Sequence, residues 1–378
     1  MQALLVLLWI VVALWAAACV RALVNFIRIP RLGGDPLPDP PPSLCVVVPA
    51  RDEEAGIEEA VASHCGQAYP GLRVVVVEDR STDRTPAILE RLRGRFENLR
   101  VVAGEDPPAG WLGKQNALRL GLEASAGEFI LMADADVVYA PGVHARAAGE
   151  MVRRGLDMLA IVPWLEGRGL EPLVLSMFPA VSLYAWPTHL SNVPAARRLH
   201  LVSPSGLLVR REALMAAGGL DRIKDKMLDD VAMARMMKAH RGRFRMVLAF
   251  GSVRHRMYRS LAACVEGFTK NCFDLFGSNV AVALGVHGGD LCMETAPAAV
   301  LALSAVLPVL GPLRLPALLA VAAGALLNAA ACLWSRQPLW VALAFPLRPV
   351  LWSWILARSM GRRYRMGIVW RGRSYGRV

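Results

Sequence analysis

No CxxC pair and no zinc-type spacing occurs among the seven cysteines, Cys19, Cys45, Cys65, Cys264, Cys272, Cys292 and Cys332. That removes a structural zinc site and a dithiol redox motif, and fits reduced, buried thiols in a cytoplasmic setting. No glycine-rich loop follows the first strand-like run, where PARDEE (49–54) stands instead, so a dinucleotide-binding dehydrogenase is excluded. No repeat or low-complexity array occurs. Acid is missing from the stretch RSMGRRYRMGIVWRGRSYGRV (358–378), whose seven arginines supply more than half of the formal net charge of +12. Charge of either sign is missing from Ala3–Val20, Ala296–Leu313 and Leu315–Trp334, and Pro338–Ala357 carries only Arg348.

What is present is apolar: 55% of the 378 residues are hydrophobic and the mean hydropathy is +0.38. This is too greasy for an ordinary soluble domain and too charged for a purely membrane protein. Each uncharged run approaches the length needed to cross a hydrocarbon core of roughly 30 Å. Arg21, Arg28 and Arg31 trail the first run, which reads as a retained anchor rather than a cleaved signal, with the following domain in the cytoplasm. The basic tail is expected on the same side, against anionic headgroups. Because this charge hugs the apolar segments and no recognition motif accompanies it, no nucleic-acid partner is expected. Domain and tail on one side require an even number of C-terminal crossings, yet three candidate runs exist. Pro338–Ala357, with Pro338, Pro346, Arg348 and Pro349, is the one expected to lie in the interface or re-enter. PLVLSMFPAVSLYAWPTHL (172–190) reads as buried core or an interfacial helix. The resulting organisation is an anchor with a juxtamembrane basic segment (1–32), a Pro/Gly-rich linker (33–43), a globular domain (44–275), membrane segments (276–357) and a basic cytoplasmic tail (358–378).

Within the globular part, strand-like and helix-like runs alternate. LCVVVPA (44–50), LRVVVVEDRS (72–81), LRVVAG (99–104) and EFILMADAD (128–136) are continuous apolar runs separated by helical spacing. That pattern argues for a parallel sheet covered on both faces. Ligands of such sheets collect at the carboxyl ends of strands. The polar residues found there are Arg51-Asp52-Glu53, Glu78-Asp79, and Asp134 with Asp136. Two carboxylates separated by one alanine suit Mg2+ or Mn2+, which favour carboxylate and phosphate oxygens. Alone this pair is a weak signal, since many such pairs only close loops.

Its company strengthens it. VVVPARDEE (46–54), VVVVEDRSTDRT (74–85), WLGKQNAL (111–118), MADAD (132–136), SGLLVRREALMAAGGLD (205–221) and LDDVAMARMMK (228–238) occur in that order. Together they resemble the inverting family 2 glycosyltransferases of the GT-A fold, a Rossmann-like α/β domain. The membrane-bound branch associated with hopanoid and carotenoid glycosylation is especially similar, down to the closing VWRGRSYG (369–376). The resemblance implies transfer of a sugar from a nucleotide-diphosphate donor, UDP-linked in the usual case, to a hopanoid, carotenoid or other membrane lipid at the inner or plasma membrane. It places Pro49, Arg51, Glu53 and Asp79 at the nucleoside and Arg256 in a region that binds the diphosphate or the acceptor, while Lys114, just after Gly113, stands in a loop able to approach phosphate. Asp134 falls at the ribose or a metal-bound water, Asp136 on the metal, and Asp230 as the base. Asp229 is placed to cap the following helix, whose N-terminus favours the ionised form of Asp230 and lowers its basicity. Gly206 marks a close backbone approach or a bulge. Two departures occur: Asp52 stands where asparagine is usual, and Glu78 and Arg80 stand where Asp and Gly are common. A processive polysaccharide synthase of the same fold is the enzymatic alternative, weakened by the lack of a QxxRW stretch. A catalytically silent membrane scaffold is the other.

Overall fold

The structure is a computed structural model that describes residues 1–196, 205–365, 368–370 and 373–375. Two compact units are present. One comprises Met1–Arg28, Glu166–Thr188 and Tyr258–Val378; the other comprises Ile29–Leu165 and His189–Met257. The apolar run at 172–190 thus falls almost wholly in the unit that holds the terminal helices, as does the chain from Tyr258 to Leu275.

The second unit is built on a sheet of seven strands: β1 (Leu44–Ala50), β2 (Arg73–Glu78), β3 (Leu99–Ala103), β4 (Phe129–Met132), β6 (Met158–Val162), β8 (Leu207–Arg210) and β9 (Phe244–Leu248). Their spatial order is β3-β2-β1-β4-β8-β6-β9. β-Branched side chains fill both faces at the centre, where Val46, Val47 and Val48 of β1 are fully buried, because helices cover the sheet on either side. The helix Gly113–Ala124 lies close over β1: a Cβ added at Gly121 would sit 2.3 Å from Val47 Cγ1.

The expected parallel arrangement holds for β3, β2, β1 and β4 and fails beyond them. β8 runs antiparallel to both β4 and β6, so the sheet is mixed. Periodicity reports that a strand is buried on both faces; it carries no information on which neighbour the strand chooses or in which direction. A second, three-stranded sheet is formed by β5 (Val137–Tyr139), β10 (Val253–His255) and β7 (Trp164–Leu165), with β10 in the middle.

The other unit is helical. Trp15 of the helix Gln2–Arg28 packs its ring against Tyr184 and Phe345. Arg348 is buried and fully engaged: Nη1 donates to Asn328 Oδ1 at 2.9 Å, Nη2 donates to the Tyr184 hydroxyl at 2.9 Å, and Glu294 is its ion-pair partner. Asn25 Nδ2 donates to the carbonyls of Leu183 (2.9 Å) and Trp186 (2.7 Å), fastening the first helix to the 171–185 segment. Ala296–Leu313 is not one helix. It breaks after Ser304 and resumes as a 3-10 turn at Pro308–Leu313 that leads into the helix Arg314–Ser335. Among the described residues, three helices are long and apolar enough to cross a membrane: Gln2–Arg28, Pro308–Ser335 and Trp340–Tyr364. The last contains most of the run expected to lie in the interface.

Candidate active site

Six chain segments converge on one small cavity at the carboxyl ends of β1 and β4, lined among others by Pro49, Lys114, Asp134, Asp229 and Met233. β4 ends at Met132, so Asp134 follows directly from the centre of the sheet. Lys114 stands in the first turn of the helix Gly113–Ala124, with its ammonium 2.7 Å from Asp134 Oδ1 and 3.1 Å from Asp229 Oδ2. It is therefore an ion-paired cation between two acids rather than a solvated lysine. Burial works against its charge, but the two carboxylates outweigh burial and hold its pKa above the ordinary lysine value.

Asp136 meets a residue that the sequence motifs did not single out as a ligand. The β5–β10 register sets His255 opposite Val137, and His255 Nε2 lies 3.0 Å from Asp136 Oδ1. The other ring nitrogen, Nδ1, is 2.7 Å from Ser205 Oγ, a contact that fixes the ring's orientation. Asp134, Asp136 and His255 each offer one donor atom, all within 4.8 Å of one another. Two carboxylates and an imidazole of this compactness fit a divalent cation such as Mn2+. Burial alone would suppress the charge on His255, but the Asp136 carboxylate overcomes it and raises the imidazole's pKa. Asp136 is also penalised by burial and is nevertheless held below the usual carboxylate value by His255. Asp134 goes the other way: burial, with Asp136 and Asp229 close by, raises it against the pull of Lys114.

The helix Asp229–Ala239 carries the acidic pair. The expectation that Asp229 caps this helix is not met. No side chain caps it, and Asp229 turns to Lys114 instead. Asp230 is buried, and its Oδ1 accepts from the Val231 amide at 2.8 Å. The expected lowering of its basicity by the helix start is also reversed. Burial first, then the neighbouring Asp229 charge, push its carboxyl up to about 7, and the Val231 amide offsets this only in part.

At the other end of the site, Arg51 Nη1 donates to the Asp79 carbonyl at 3.1 Å. The Asp79 side chain is buried with Arg80 Nε 3.5 Å from its Oδ1. The loop after it is held by others: Glu78 Oε1 accepts from the Ser81 amide (2.6 Å), and Asp52 Oδ1 from the Thr82 amide (2.7 Å). The Glu53 amide donates to Thr85 Oγ1 at 2.8 Å. Gly104 is required here, since a Cβ would sit 2.7 Å from Asp79 Cα. In the basic cluster, Arg254 is engaged by Glu59, whereas Arg256 Nε is buried with no hydrogen-bond partner among the described residues. The Arg256 amide lies 3.4 Å from the Asp136 carbonyl, which keeps this residue beside the acids.

Residues 45–217 match the family described as Glycosyl transferase family 2. Beta-monoglucosyldiacylglycerol synthase of Synechocystis sp. is 30% identical over 248 residues, covering 61% of this chain and 49% of that protein. The synthase of the same name from Nostoc sp. is 28% identical over 193 residues, covering 47% of this chain and 38% of that protein. The chain therefore spans about half the length, or less, of these curated relatives. The mannosyltransferase PcManGT of Pyrobaculum calidifontis, solved with GDP-Man and Mn2+, superposes with a TM-score of 0.50 over 92% of this chain and 97% of that one, at 21% identity. At that identity the likeness establishes a shared GT-A-like α/β fold.

Proposed function

We propose, from the premise that this chain carries a glycosyl transferase family 2 domain, that it moves a sugar from a nucleotide-diphosphate donor to a hydroxyl of a membrane lipid, with inversion. One observation carries the reading. Lys114 touches Asp134 and Asp229 at once, so one member of the alanine-spaced acids and one of the acidic pair border the same cavity.

In this reading the nucleoside lies along Pro49, Arg51, Glu53 and Asp79, whose carboxylate accepts hydrogen bonds from base or ribose. Asp134, Asp136 and His255 would hold Mn2+ or Mg2+, which neutralises charge on the departing diphosphate. Lys114 and the unpartnered Arg256 Nε supply fixed positive charge for that diphosphate. Asp230 takes the proton from the acceptor O–H as its oxygen attacks the anomeric carbon. A new C–O bond forms, the bond to the diphosphate oxygen breaks, and the diphosphate leaves with the electron pair. A carboxyl poised at about 7 is basic enough for this task and about half ionised at neutral pH.

The lipid acceptor is supported by the three helices with the length and composition of membrane spans. The curated relatives' names, which specify glucosylation of diacylglycerol, point the same way. UDP-linked sugars are the first donors to try. Full-length protein in detergent, given a UDP-sugar, Mn2+ and diacylglycerol, is expected to form a glycosylated lipid visible by mass spectrometry. Asp136→Ala should abolish that product. A long polysaccharide in place of a single-sugar lipid would favour the synthase alternative, and no donor turnover with any nucleotide sugar would favour the scaffold.

A further inference from the structure

The helical unit holds a small groove at the C-terminal end of the helix Arg348–Arg365. Thr269, Lys270, Asp274, Ser359, Arg362 and Arg363 line it. Three cations thus meet one carboxylate, and that carboxylate is engaged, since Asp274 Oδ1 accepts from Ser278 Oγ at 2.8 Å. Arg362 makes a two-pronged pair with Glu266. Arg363 is different. Its Nε is closed off from solvent and has no hydrogen-bond partner among the described residues. A guanidinium N–H in that state is costly, and the half-buried side chain has to turn to bring it to an acceptor in the groove. Beside it, Ser359 Oγ accepts from the Phe273 amide at 3.1 Å, which leaves its own hydrogen to donate.

The groove's position says what the acceptor is. It sits at the end of the Trp340–Tyr364 helix, one of those long and apolar enough to span. Trp354 and Tyr364 are exposed there, the aromatic signature of a membrane–water boundary, and the Arg358 guanidinium lies 4.9 Å over the Trp354 ring. Lipid phosphates lie at that depth. Arginine's planar fork and a nearby ammonium match phosphate oxygens.

We propose that this groove binds the headgroup phosphate of an anionic glycerophospholipid. The site rests on the membrane reading of Trp340–Tyr364 and is independent of the sugar chemistry. Full-length protein released from mixed micelles is examined by native mass spectrometry after supplying phosphatidylglycerol or phosphatidylcholine. Selective retention of phosphatidylglycerol is expected, falling about tenfold in Arg363→Gln through loss of a charge-assisted hydrogen bond. Arg363→Lys should retain part of it, and metal-stimulated donor turnover should be unchanged in both variants. If Arg363→Gln does not fold, Lys270→Gln is measured for the same loss. Equal retention of the two lipids, or retention indifferent to these substitutions, overturns the site. Displacement of phosphatidylglycerol by inorganic phosphate or glycerol phosphate at millimolar concentration also overturns it, in favour of a soluble phosphate ligand.

Discussion

Asp230 shows how a single carboxylate acquires a working pKa. Its surroundings disfavour charge through burial and through Asp229 next to it, and one backbone amide only partly compensates. A general base must be unprotonated, so the sign is direct: below about 7 the fraction of active base falls as protons add to Asp230. The rate constant kcat/KM is expected to rise with pH through that value, with a tenfold loss per pH unit on the acid side. Asp230→Asn should lower turnover by roughly 10²–10⁴-fold while leaving donor binding, measured by calorimetry, near the parent value. Equal loss of donor binding would move Asp230 from proton transfer to nucleotide holding. The neighbouring departures from the family pattern also have a residue-scale explanation. Arg80 has φ 58°, a region where a side chain is strained and glycine is at ease. That is a physical reason for the glycine common there; here the arginine side chain instead engages Asp106 and Asp79.

Elements decide which side chains meet, and here two short pieces of chain matter most. Gly206 precedes β8, and a Cβ on it would stand 2.3 Å from the Tyr139 hydroxyl, which donates to the Ser205 carbonyl. Gly206→Ala should therefore cost about 1–3 kcal/mol in stability. Because Ser205 orients His255, the same change should weaken Mn2+ affinity about tenfold, readable by titration calorimetry. At the end of the helix Asp229–Ala239, Arg241 is exposed with φ 62°, the left-handed geometry that usually follows a helix terminus. Arg241→Gly is expected to stabilise the protein by about 0.5–1 kcal/mol, seen as a higher Tm, because glycine accepts that φ without strain. These cases mark how far the sequence could be read. Asp134, Asp136 and Asp230 announce themselves as acids at the ends of apolar or helical runs. His255 did not, because its role depends on β10 pairing with β5 across more than a hundred residues. Three-residue strands have no periodicity to read, and VRHRMYRS looks like a plain basic patch. A histidine alternating with Val253 on a strand-like run after the acidic pair was the one available signal.

The whole molecule poses a question of sidedness. A donor site and a basic tail that share one compartment need an even number of crossings between them, and the sequence offers three candidate runs. Two of the three lie largely within helices of spanning length and composition, the proline-rich one included. Ala296–Leu313 is interrupted after Ser304, while Trp340–Tyr364 keeps spanning length despite Pro346 and Pro349. The one charge in that run, Arg348, is buried against Glu294, Asn328 and Tyr184, so it is answered inside the protein, as a polar group in a membrane segment must be. If Gln2–Arg28, Pro308–Ser335 and Trp340–Tyr364 each cross once, the sugar-transfer unit and the tail are expected on the same side. By the positive-inside tendency, the arginines trailing the first helix predict the cytoplasm for that side. A phosphatase reporter fused after Val378 is expected to be inactive, and one placed between Ser335 and Trp340 active, since that enzyme needs the oxidising outer compartment. An active fusion after Val378 would mean that one of the two C-terminal helices does not cross.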